Sequence, residues 1–427
     1  MESQAYRSRI VDDVIADELL SVGALVIEGA KWCGKSTSAR HHCKSAVYMD
    51  NPSKRGQYSI MLQTNPEAIL AGATPRLIDE WQLFPLIWDS VRYTVDHRRG
   101  MGQFILTGSS RPADRSQIMH SGTGRFAWIR MRPMSLQESL DSSGAISLEK
   151  LFSNPESNIY AECSADLERM AFLTCRGGWP AIFDLPAKNA LKPAFNYFNA
   201  VVNVDIRDVD GVNRSSERAK TLMRSYARFQ GTQTPLSQIV NDVNGSDFVS
   251  IDEKTARNYI DALESMFVIE EAPAWNPNLK SKTAIRSTST RYFVDPSIAT
   301  AALGVGPKDL INDLKCFGLI FETLCMRDLR VYAQPLGGTV YHYRDKNGLE
   351  CDAVVHLPNG NYGLIEIKLG GEEKINEGAD NLNRLTNKLD TSKMKAPSFR
   401  MVLTAVGSFA YRRPDGILVV PVTALGR

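Results

Sequence analysis

A glycine-rich run near the amino end carries the clearest chemistry in the chain. It follows the apolar stretch Ala24 to Ile27 and opens a predicted helix. The spacing G-x-x-x-x-G-K-S fits the P-loop pattern, in which backbone N–H groups cradle phosphates, a lysine reaches the terminal phosphates and a serine hydroxyl ligates Mg²⁺. Lys35 and Ser36 take these two roles, and the alternative is a glycine-containing turn between a strand and a helix. The predicted nucleotide-binding residues of this run are Gly29, Ala30, Lys31, Trp32, Cys33, Gly34, Lys35, Ser36 and Thr37.

Two carboxylates follow a second apolar stretch, at Asp79 and Glu80. After a P-loop, such a pair at a strand end suits an ATPase, with Asp79 holding Mg²⁺ through water and Glu80 polarising the attacking water. The alternative is a solvated strand end. Hydroxyls end another apolar stretch, where Thr107 and Ser109 are predicted to sense the terminal phosphate or position water, and backbone caps are the alternative.

A third group of charged residues lies near the carboxyl end. Asp352 falls on one predicted strand, while Glu366 and Lys368 alternate with apolar residues on the next. Burying such charges unpaired is costly, whereas a divalent ion would satisfy Asp352 and Glu366 and leave Lys368 to orient or activate water. The alternative is a structural salt-bridge network.

The elements around the first two groups predict an α/β fold. Apolar stretches at residues 46–49, 76–78, 103–106 and 126–129 alternate with helical segments, one of which carries Ile87, Val91 and Val95 at four-residue spacing. Strands that alternate with helices favour an open parallel sheet, with the phosphate site at the carboxyl ends of its strands.

The middle and the end of the chain predict further domains. Residues 141–165 are rich in Ser, Asn and Glu and indicate a linker or a frayed helical connection, and a helical stretch through Tyr197 and Asp205 suits a lid over the nucleotide. Residues 235–272 have helix-turn-helix spacing. From residue 316 onward the predicted order is α-β-β-β-α-β-β.

Composition sets the broad class. The chain has 427 residues, 43% of them hydrophobic and 23% charged, which is typical of a folded chain of two to four domains. A net charge of +2 gives no global field for nucleic acid, so DNA binding must depend on a local patch. Seven scattered cysteines, the lack of a signal-peptide core and the lack of a membrane-length apolar stretch predict a cytoplasmic protein that does not enter a membrane.

The order of the motifs resembles the bacterial and archaeal AAA-type ATPases that carry a C-terminal nuclease-like domain of unknown function. The resemblance rests on the P-loop, the runs IDEWQ and LTGSS, and Gly124-Arg125 followed by RPMS. It implies that the strand before Thr107 lies between the P-loop strand and the strand that ends at Asp79, and that Asp79 and Glu80 are the Walker B pair. It also implies that Arg125 stabilises charge during hydrolysis, either in its own subunit or across a subunit boundary in a homo-oligomer, whereas a structural ion pair is the alternative.

The downstream segments are similar to the same family. Residues 235–295 resemble its winged-helix segment, with Lys254, Arg257 and Asn258 on the exposed side of the second helix; domain packing is the alternative to DNA binding. The basic residues predicted on the wing are Lys280, Lys282 and Arg286.

The C-terminal acids resemble the PD-(D/E)xK nuclease core, and the resemblance adds Glu322 as a helix acid and metal ligand. Cys351 precedes Asp352 where that family usually has an apolar residue. The resemblance implies domains at 1–140 (AAA-type P-loop ATPase core), 141–232 (helical lid or linker), 233–306 (winged helix) and 307–427 (restriction-nuclease-like α/β domain).

These features together predict an Mg²⁺-dependent ATPase that couples nucleotide state to DNA handling and carries a metal-dependent nuclease domain. ATP or ADP and DNA are the expected partners, Mg²⁺ is the expected cofactor, and Mn²⁺ is an alternative metal at the C-terminal site. The predicted metal ligands are Ser36, Asp79, Glu322, Asp352 and Glu366, and the predicted catalytic residues are Lys35, Glu80, Arg125, Asp352, Glu366 and Lys368. The alternative function is a nucleotide-dependent switch or scaffold on an inert nuclease-like fold.

Overall fold

The computed structural model describes residues 6–110, 118–157, 159–245, 249–277, 288–392 and 394–427. The chain divides into two compact units. The first comprises Met1–Pro133, Val204–Arg214 and Asp261–Val268, and the second comprises Met134–Asn203, Ser215–Ile260 and Ile269–Arg427. Each unit has a β-sheet of its own.

The first unit is built on a five-stranded parallel sheet in the order β2-β3-β4-β1-β5. The strands are β1 (Ala24–Glu28), β2 (Ser45–Tyr48), β3 (Arg76–Asp79), β4 (Phe104–Gly108) and β5 (Phe126–Arg130). The predicted parallel sheet is confirmed, and β4 lies between β1 and β3 as the resemblance implied.

Helices cover both faces of this sheet, and each face has an apolar core. On one face Ile87, Val91 and Val95 pack together with sheet residues, which confirms the stripe predicted from their spacing. On the other face, Val11 and Ile15 pack together with sheet residues. The helices are α1 (Val11–Ser21), α2 (Lys35–His42), α3 (Arg55–Thr64), α4 (Glu67–Leu70) and α5 (Ile87–Arg98).

The second unit contains a seven-stranded mixed sheet in the order β7-β12-β13-β11-β10-β9-β8. Strands β10, β11 and β13 run parallel to one another, and the remaining neighbours are antiparallel. The short β6 (Ile146–Ser147) and β14 (Leu425–Gly426) pair separately. The seven strands are β7 (Ala161–Ala165), β8 (Thr339–Arg344), β9 (Glu350–His356), β10 (Tyr362–Lys368), β11 (Phe399–Thr404), β12 (Gly407–Arg412) and β13 (Leu418–Pro421).

Two strands of this sheet depart from the sequence prediction. The strand β12 was not predicted, and β7 lies inside residues 141–165, where a linker was expected. The linker prediction is wrong at β7, because its backbone pairs with β12, more than 240 residues later in the chain.

The remaining helices follow the chain. A π-helical turn at Val201–Asp205 precedes α9, and α11 and α12 occupy the region of helix-turn-helix spacing. Two antiparallel bridges, Ile269 with Phe293 and Ala272 with Thr290, follow α12. In the described ranges no helix combines the length and the apolar character needed to cross a membrane. The helices are α6 (Leu148–Ser153), α7 (Leu167–Arg176), α8 (Lys192–Ala200), α9 (Ile206–Asp208), α10 (Ser216–Arg228), α11 (Leu236–Asn244), α12 (Glu253–Ser265), α13 (Pro296–Leu303), α14 (Pro307–Asn312), α15 (Leu314–Ala333) and α16 (Glu372–Lys388).

Candidate functional sites

The P-loop joins the carboxyl end of β1 to the start of α2, and two glycines permit its path. Gly29 has a φ of 158°, and a Cβ there would approach the Met131 carbonyl oxygen to 2.1 Å. Gly34 caps α2 with a φ of 101°, in the left-handed region that side chains disfavour. The backbone therefore requires glycine at both positions that the motif specifies.

Lys35 is held within its own loop. Its side chain is buried, with a relative exposure of 4%, and Nζ donates a hydrogen bond of 2.9 Å to the Ala30 carbonyl oxygen. A buried ammonium needs such an acceptor. Phosphate oxygens would be stronger acceptors than one carbonyl, because their bond to the ammonium is assisted by charge.

The rest of the loop is fixed from two sides. Arg9 donates to the Cys33 carbonyl oxygen at 2.9 Å and to the Arg132 carbonyl oxygen at 2.8 Å, which ties the loop to the segment after β5. At the loop tip, Lys31 forms an ion pair of 2.5 Å with Asp205. Asp205 was expected only as part of a lid helix, and its contact with the P-loop could not be read from spacing because 174 residues separate the partners.

The other predicted loop residues have different exposures. Trp32 is 44% exposed and has a positive φ of 71°, whereas Cys33 is buried with its Sγ 3.5 Å from the Met131 carbonyl oxygen. Ser36 is half-buried at the start of α2, and Thr37 is exposed. The backbone of these residues forms the loop, whereas their side chains range from buried to exposed.

Asp79 lies at the end of β3, where two hydroxyl groups meet it. The Thr107 hydroxyl donates to Asp79 Oδ1, and Ser36 is a further hydrogen-bond partner of the carboxylate. Burial raises the pKa of Asp79, while the bonds from Thr107 and Ser36 act in the opposite direction. Three residues predicted from separate motifs thus lie in contact.

Glu80 is oriented by the strand beside it. Its carboxylate accepts a 2.9 Å hydrogen bond from Ser109 and another from Gln82, and its N–H donates to the Thr107 hydroxyl at 3.2 Å. The backbone of Glu80 is left-handed, with a φ of 55°. Gln82 was not predicted as a site residue, although its place two residues after Glu80 on a tight turn was the available signal.

The donor set at Ser36 and Asp79 suits a magnesium ion. Mg²⁺ prefers oxygen ligands and is commonly held by one or two carboxylates together with water and phosphate oxygens. A hydroxyl and a carboxylate that already contact each other beside the P-loop fit that requirement.

Arg125 lies away from these residues. Its carbonyl oxygen accepts from the N–H of Ala24, the first residue of β1, so Arg125 is at the amino end of the sheet. At about 3.3 Å per residue, the P-loop begins about 16 Å away along β1. The guanidinium is half-exposed and pairs with Asp96 at 2.8 Å. The structure therefore does not bring Arg125 to the phosphate site of its own protomer.

The C-terminal charged residues lie together on β9, β10 and α15, and we call Glu322, Asp352, Glu366 and Lys368 the acid cluster. Because Ile365 pairs with Ala353 in the antiparallel register, the next pair of positions is Glu366 with Asp352. Lys368 Nζ donates to Glu366 at 2.7 Å and to Asp352 at 3.3 Å. One ammonium thus bridges the two carboxylates that the sequence assigned to one site.

Two further polar residues, Tyr292 and Asn381, contact the acid cluster. Asn381 of α16 donates to Glu366 at 2.7 Å, and the Tyr292 hydroxyl donates to Glu322. Burial, reinforced by the negative charge of Asp352, raises the pKa of both Glu322 and Glu366. Tyr292 and Asn381 were not predicted as site residues, and no local pattern marks them because each lies on a different element from the carboxylate that it contacts.

The acid cluster contains oxygen donors that suit a divalent metal ion. Asp352 and Glu366 supply hard oxygen ligands close enough to share one cation, which fits a divalent ion. In the described part of the chain, no group of three or more His, Cys, Asp or Glu side chains is arranged to hold a metal. The fit therefore rests on two carboxylates, and the ligand role of Glu322 stays a prediction.

The predicted DNA-binding residues of α12 are on its surface. Lys254, Arg257 and Asn258 are exposed. The wing residues Lys280, Lys282 and Arg286 lie outside the described residues.

Three family models match successive parts of the chain. Residues 21–140 match the AAA domain, residues 167–309 match a domain of unknown function (DUF8612), and residues 317–425 match another domain of unknown function (DUF4143). The first match and the parallel sheet support an AAA-type ATPase with a P-loop α/β fold. The C-terminal match states no activity.

Two mycobacterial proteins are similar to most of the chain. They are the uncharacterized protein Mb2031c of Mycobacterium bovis (strain ATCC BAA-935 / AF2122/97) and the uncharacterized protein Rv2008c of Mycobacterium tuberculosis (strain ATCC 25618 / H37Rv). Each is 20% identical over 346 residues, which cover 81% of this chain and 70% of the relative.

Solved structures of replication proteins are distantly similar to this chain. The replication initiator DnaA bound to AMPPCP and single-stranded DNA is 12% identical, with 60% of this chain and 86% of that chain covered and a TM-score of 0.26. AMPPCP-bound DnaA from Aquifex aeolicus is 11% identical, with 61% and 89% covered and a TM-score of 0.24. The Aeropyrum pernix ORC1 protein in complex with DNA is 12% identical, with 73% and 95% covered and a TM-score of 0.25.

Proposed function

We propose that the chain is a cytoplasmic, Mg²⁺-dependent ATPase that couples its nucleotide state to the handling of DNA. The observation that carries the proposal is the meeting of Ser36, Asp79 and Thr107 beside the P-loop. In a protein that hydrolyses ATP, these groups serve phosphate and metal binding together.

The predicted site residues have separate roles in ATP hydrolysis. Lys35 exchanges its bond to the Ala30 carbonyl oxygen for one to the terminal phosphates. Glu80, held by Ser109 and Gln82, accepts a hydrogen bond from the attacking water and orients it. Ser36 and Asp79 hold Mg²⁺, which when bound supplies a Lewis acid for the charge on the phosphate oxygens. Arg125 acts on the phosphates of a neighbouring protomer in a homo-oligomer.

Steady-state ATP hydrolysis tests the phosphate site. Lys35→Ala is expected to lower turnover by about 10²- to 10³-fold, as removal of one preorganised charge-stabilising donor does in other active sites. Lys54→Ala, an exposed lysine of the same unit, is the matched control and keeps wild-type turnover. Equal hydrolysis by wild type and Lys35→Ala would defeat the assignment.

We also propose that the C-terminal domain is a metal-dependent nuclease. The supporting observation is that one half-buried lysine, Lys368, contacts both Asp352 and Glu366. Burial and mutual repulsion disfavour ionisation of the three carboxyl groups, as the raised pKa values of Glu322 and Glu366 indicate, and a dication would favour their ionised forms. Asp352 and Glu366 hold Mg²⁺ or Mn²⁺, and Lys368 then orients the attacking water toward a phosphodiester.

Plasmid cleavage with Mg²⁺ or Mn²⁺ tests the nuclease proposal. Asp352→Ala and Lys368→Ala are expected to abolish cutting, while Asp380→Ala and Lys374→Ala, at exposed positions of α16, leave it unchanged. Equal cutting by wild type and the two site variants rules the proposed nuclease site out.

A second function is favoured by one observation, namely that the acid cluster has partners within the protein for all of its members. On this proposal the domain is an inert nuclease-like scaffold that a nucleotide-dependent switch uses to bind protein or regulatory DNA. Absence of cleavage together with absence of Mn²⁺ binding supports the scaffold.

A further inference from the structure

Two members of the acid cluster, Glu322 and Asp352, line a cavity that is too small for the proposed substrate. The cavity between Glu322 and Asp352 has a volume of about 100 Å³. Ligand pockets usually have volumes of about 300 Å³ or more, and one water molecule takes up about 30 Å³ in the liquid. The cavity thus has room for a few waters and no room for a nucleotide of a DNA strand.

Gly231, Thr232 and Gln233 form one wall of this cavity. Together with Thr234 they make a short stretch of backbone between α10 and α11, which we call the strap. Gly231 has a φ of 67°, and a Cβ there would approach Glu322 Oε2 to 3.1 Å. Glycine thus lets the strap pack directly against a carboxylate of the acid cluster.

The inner side of the strap is fastened to the segment around Tyr292. The N–H of Gly231 donates to the Arg291 carbonyl oxygen at 2.8 Å, and the N–H of Arg291 donates to the Thr232 carbonyl oxygen at 3.2 Å. Tyr292, the next residue, donates its hydroxyl to Glu322. The strap and the acid cluster are therefore joined through two consecutive residues.

The outer side of the strap is fastened to β8. Gln233 and His342 share a hydrogen bond of 2.9 Å between Nε2 and Nδ1. The strap residues from Gly231 to Thr234 are half-buried, so they form a cover with one side toward solvent. A cover held by a few separate hydrogen bonds can open without unfolding the sheet beneath it.

We propose that the strap is a gate over the side of the acid cluster formed by Glu322 and Asp352, and that a metal and a phosphodiester reach these two carboxylates only after the strap has moved away. This regulation rests on the proposed nuclease function. The helices α10 and α11, which the strap connects, contact each other through Arg228 and Asp242 at 2.9 Å and through Ser225 and the Ile239 carbonyl oxygen at 3.2 Å. A shift of this helix pair therefore moves the strap.

Hydrogen exchange of the metal-free full-length protein tests the gate. Gln233→Ala removes the bond to His342 without touching a carboxylate, and Tyr292→Phe removes the bond to Glu322. Loss of one hydrogen bond is expected to speed exchange of the Gly231 and Arg291 amides by about five- to tenfold in either variant. Gln238→Ala, at an exposed position of α11, is the matched control and leaves exchange unchanged.

Mn²⁺ binding to the same proteins gives the second measurement. Gln233→Ala is expected to bind Mn²⁺ about five- to tenfold more tightly than wild type, and adding Asp352→Ala to that variant is expected to remove the gain. We call Gln233→Ala and Tyr292→Phe the opened variants. Wild-type rates of amide hydrogen exchange and wild-type Mn²⁺ affinity in both of them would overturn the gate. A gain that survives Asp352→Ala would overturn it as well.

The outcomes separate the gate from the nuclease proposal. If the opened variants exchange faster and bind Mn²⁺ through Asp352 without cutting plasmid, the gate stands and the nuclease proposal fails. If wild type cuts plasmid as fast as the opened variants, the nuclease proposal stands and the gate is wrong.

Discussion

The P-loop site and the acid cluster use similar residues in opposite ways. Both bring carboxylates and one lysine together, but Lys35 donates to a carbonyl oxygen of its own loop, whereas Lys368 pairs with two carboxylates. A ligand can replace a carbonyl with little loss, while a ligand of the acid cluster must compete with an ion network. We therefore expect the P-loop site to bind its ligand without rearrangement, and the acid cluster either to need a rearrangement or to be structural.

The largest expected effect is that of Arg125→Ala on ATP turnover at the P-loop site. If the arginine completes a neighbour's site, ATP turnover falls by about 10³-fold, as loss of a charge-stabilising arginine does in other phosphoryl-transfer enzymes. Mixing Arg125→Ala with Lys35→Ala protein is expected to restore part of the turnover, because a mixed oligomer contains sites with both residues intact. Arg55→Ala, an exposed arginine of the same unit, is the control. Full turnover by Arg125→Ala at every protein concentration would leave the residue with its structural pair to Asp96.

Glu80→Gln has the next largest expected effect. The amide keeps the shape of the side chain but cannot act as a base, so turnover is expected to fall by about 10²-fold. Nucleotide affinity is expected to stay within about twofold of wild type, because phosphate binding is assigned to Lys35 and the loop amides. Glu67→Gln is the exposed control. A loss of ATP binding that matches the loss of turnover contradicts the assigned role.

The smallest expected effect concerns His342, which holds the outer side of the strap. Burial lowers its pKa from 6.5 to about 4, so the folded state binds fewer protons than the unfolded state between these values. Its contribution to the free energy of unfolding is complete above pH 6.5 and is lost as the pH falls toward 4. Denaturant unfolding of wild type and His342→Gln checks this, since the variant is expected to lose less stability over that range. Identical pH dependence of the two proteins would contradict the assignment.

The parallel sheet was predictable because of how it is buried. Its strands are covered on both faces, so β1 and β4 read as unbroken apolar runs between helical segments. The strands β7 and β12 escaped prediction because they carry exposed polar residues and depend on a pairing between distant parts of the chain.

Site residues could be predicted from the sequence only where they lie within a few positions of one another in the chain. The P-loop and the Glu366–Lys368 pair could be read from the sequence because a few consecutive residues set their geometry. The partners Asp205 and Tyr292 could not, because tertiary packing brings them to Lys31 and Glu322. The position of Arg125 at the amino end of the sheet likewise follows from strand pairing and not from its motif.

A crystal structure of the protein grown with ADP and Mn²⁺ tests the central claim most directly. The account predicts nucleotide phosphates in the loop between Gly29 and Lys35, with Lys35 Nζ moved from the Ala30 carbonyl oxygen to a phosphate oxygen and manganese beside Ser36. Nucleotide bound elsewhere, or a Lys35 that keeps its bond to Ala30 at saturating ADP, would contradict it.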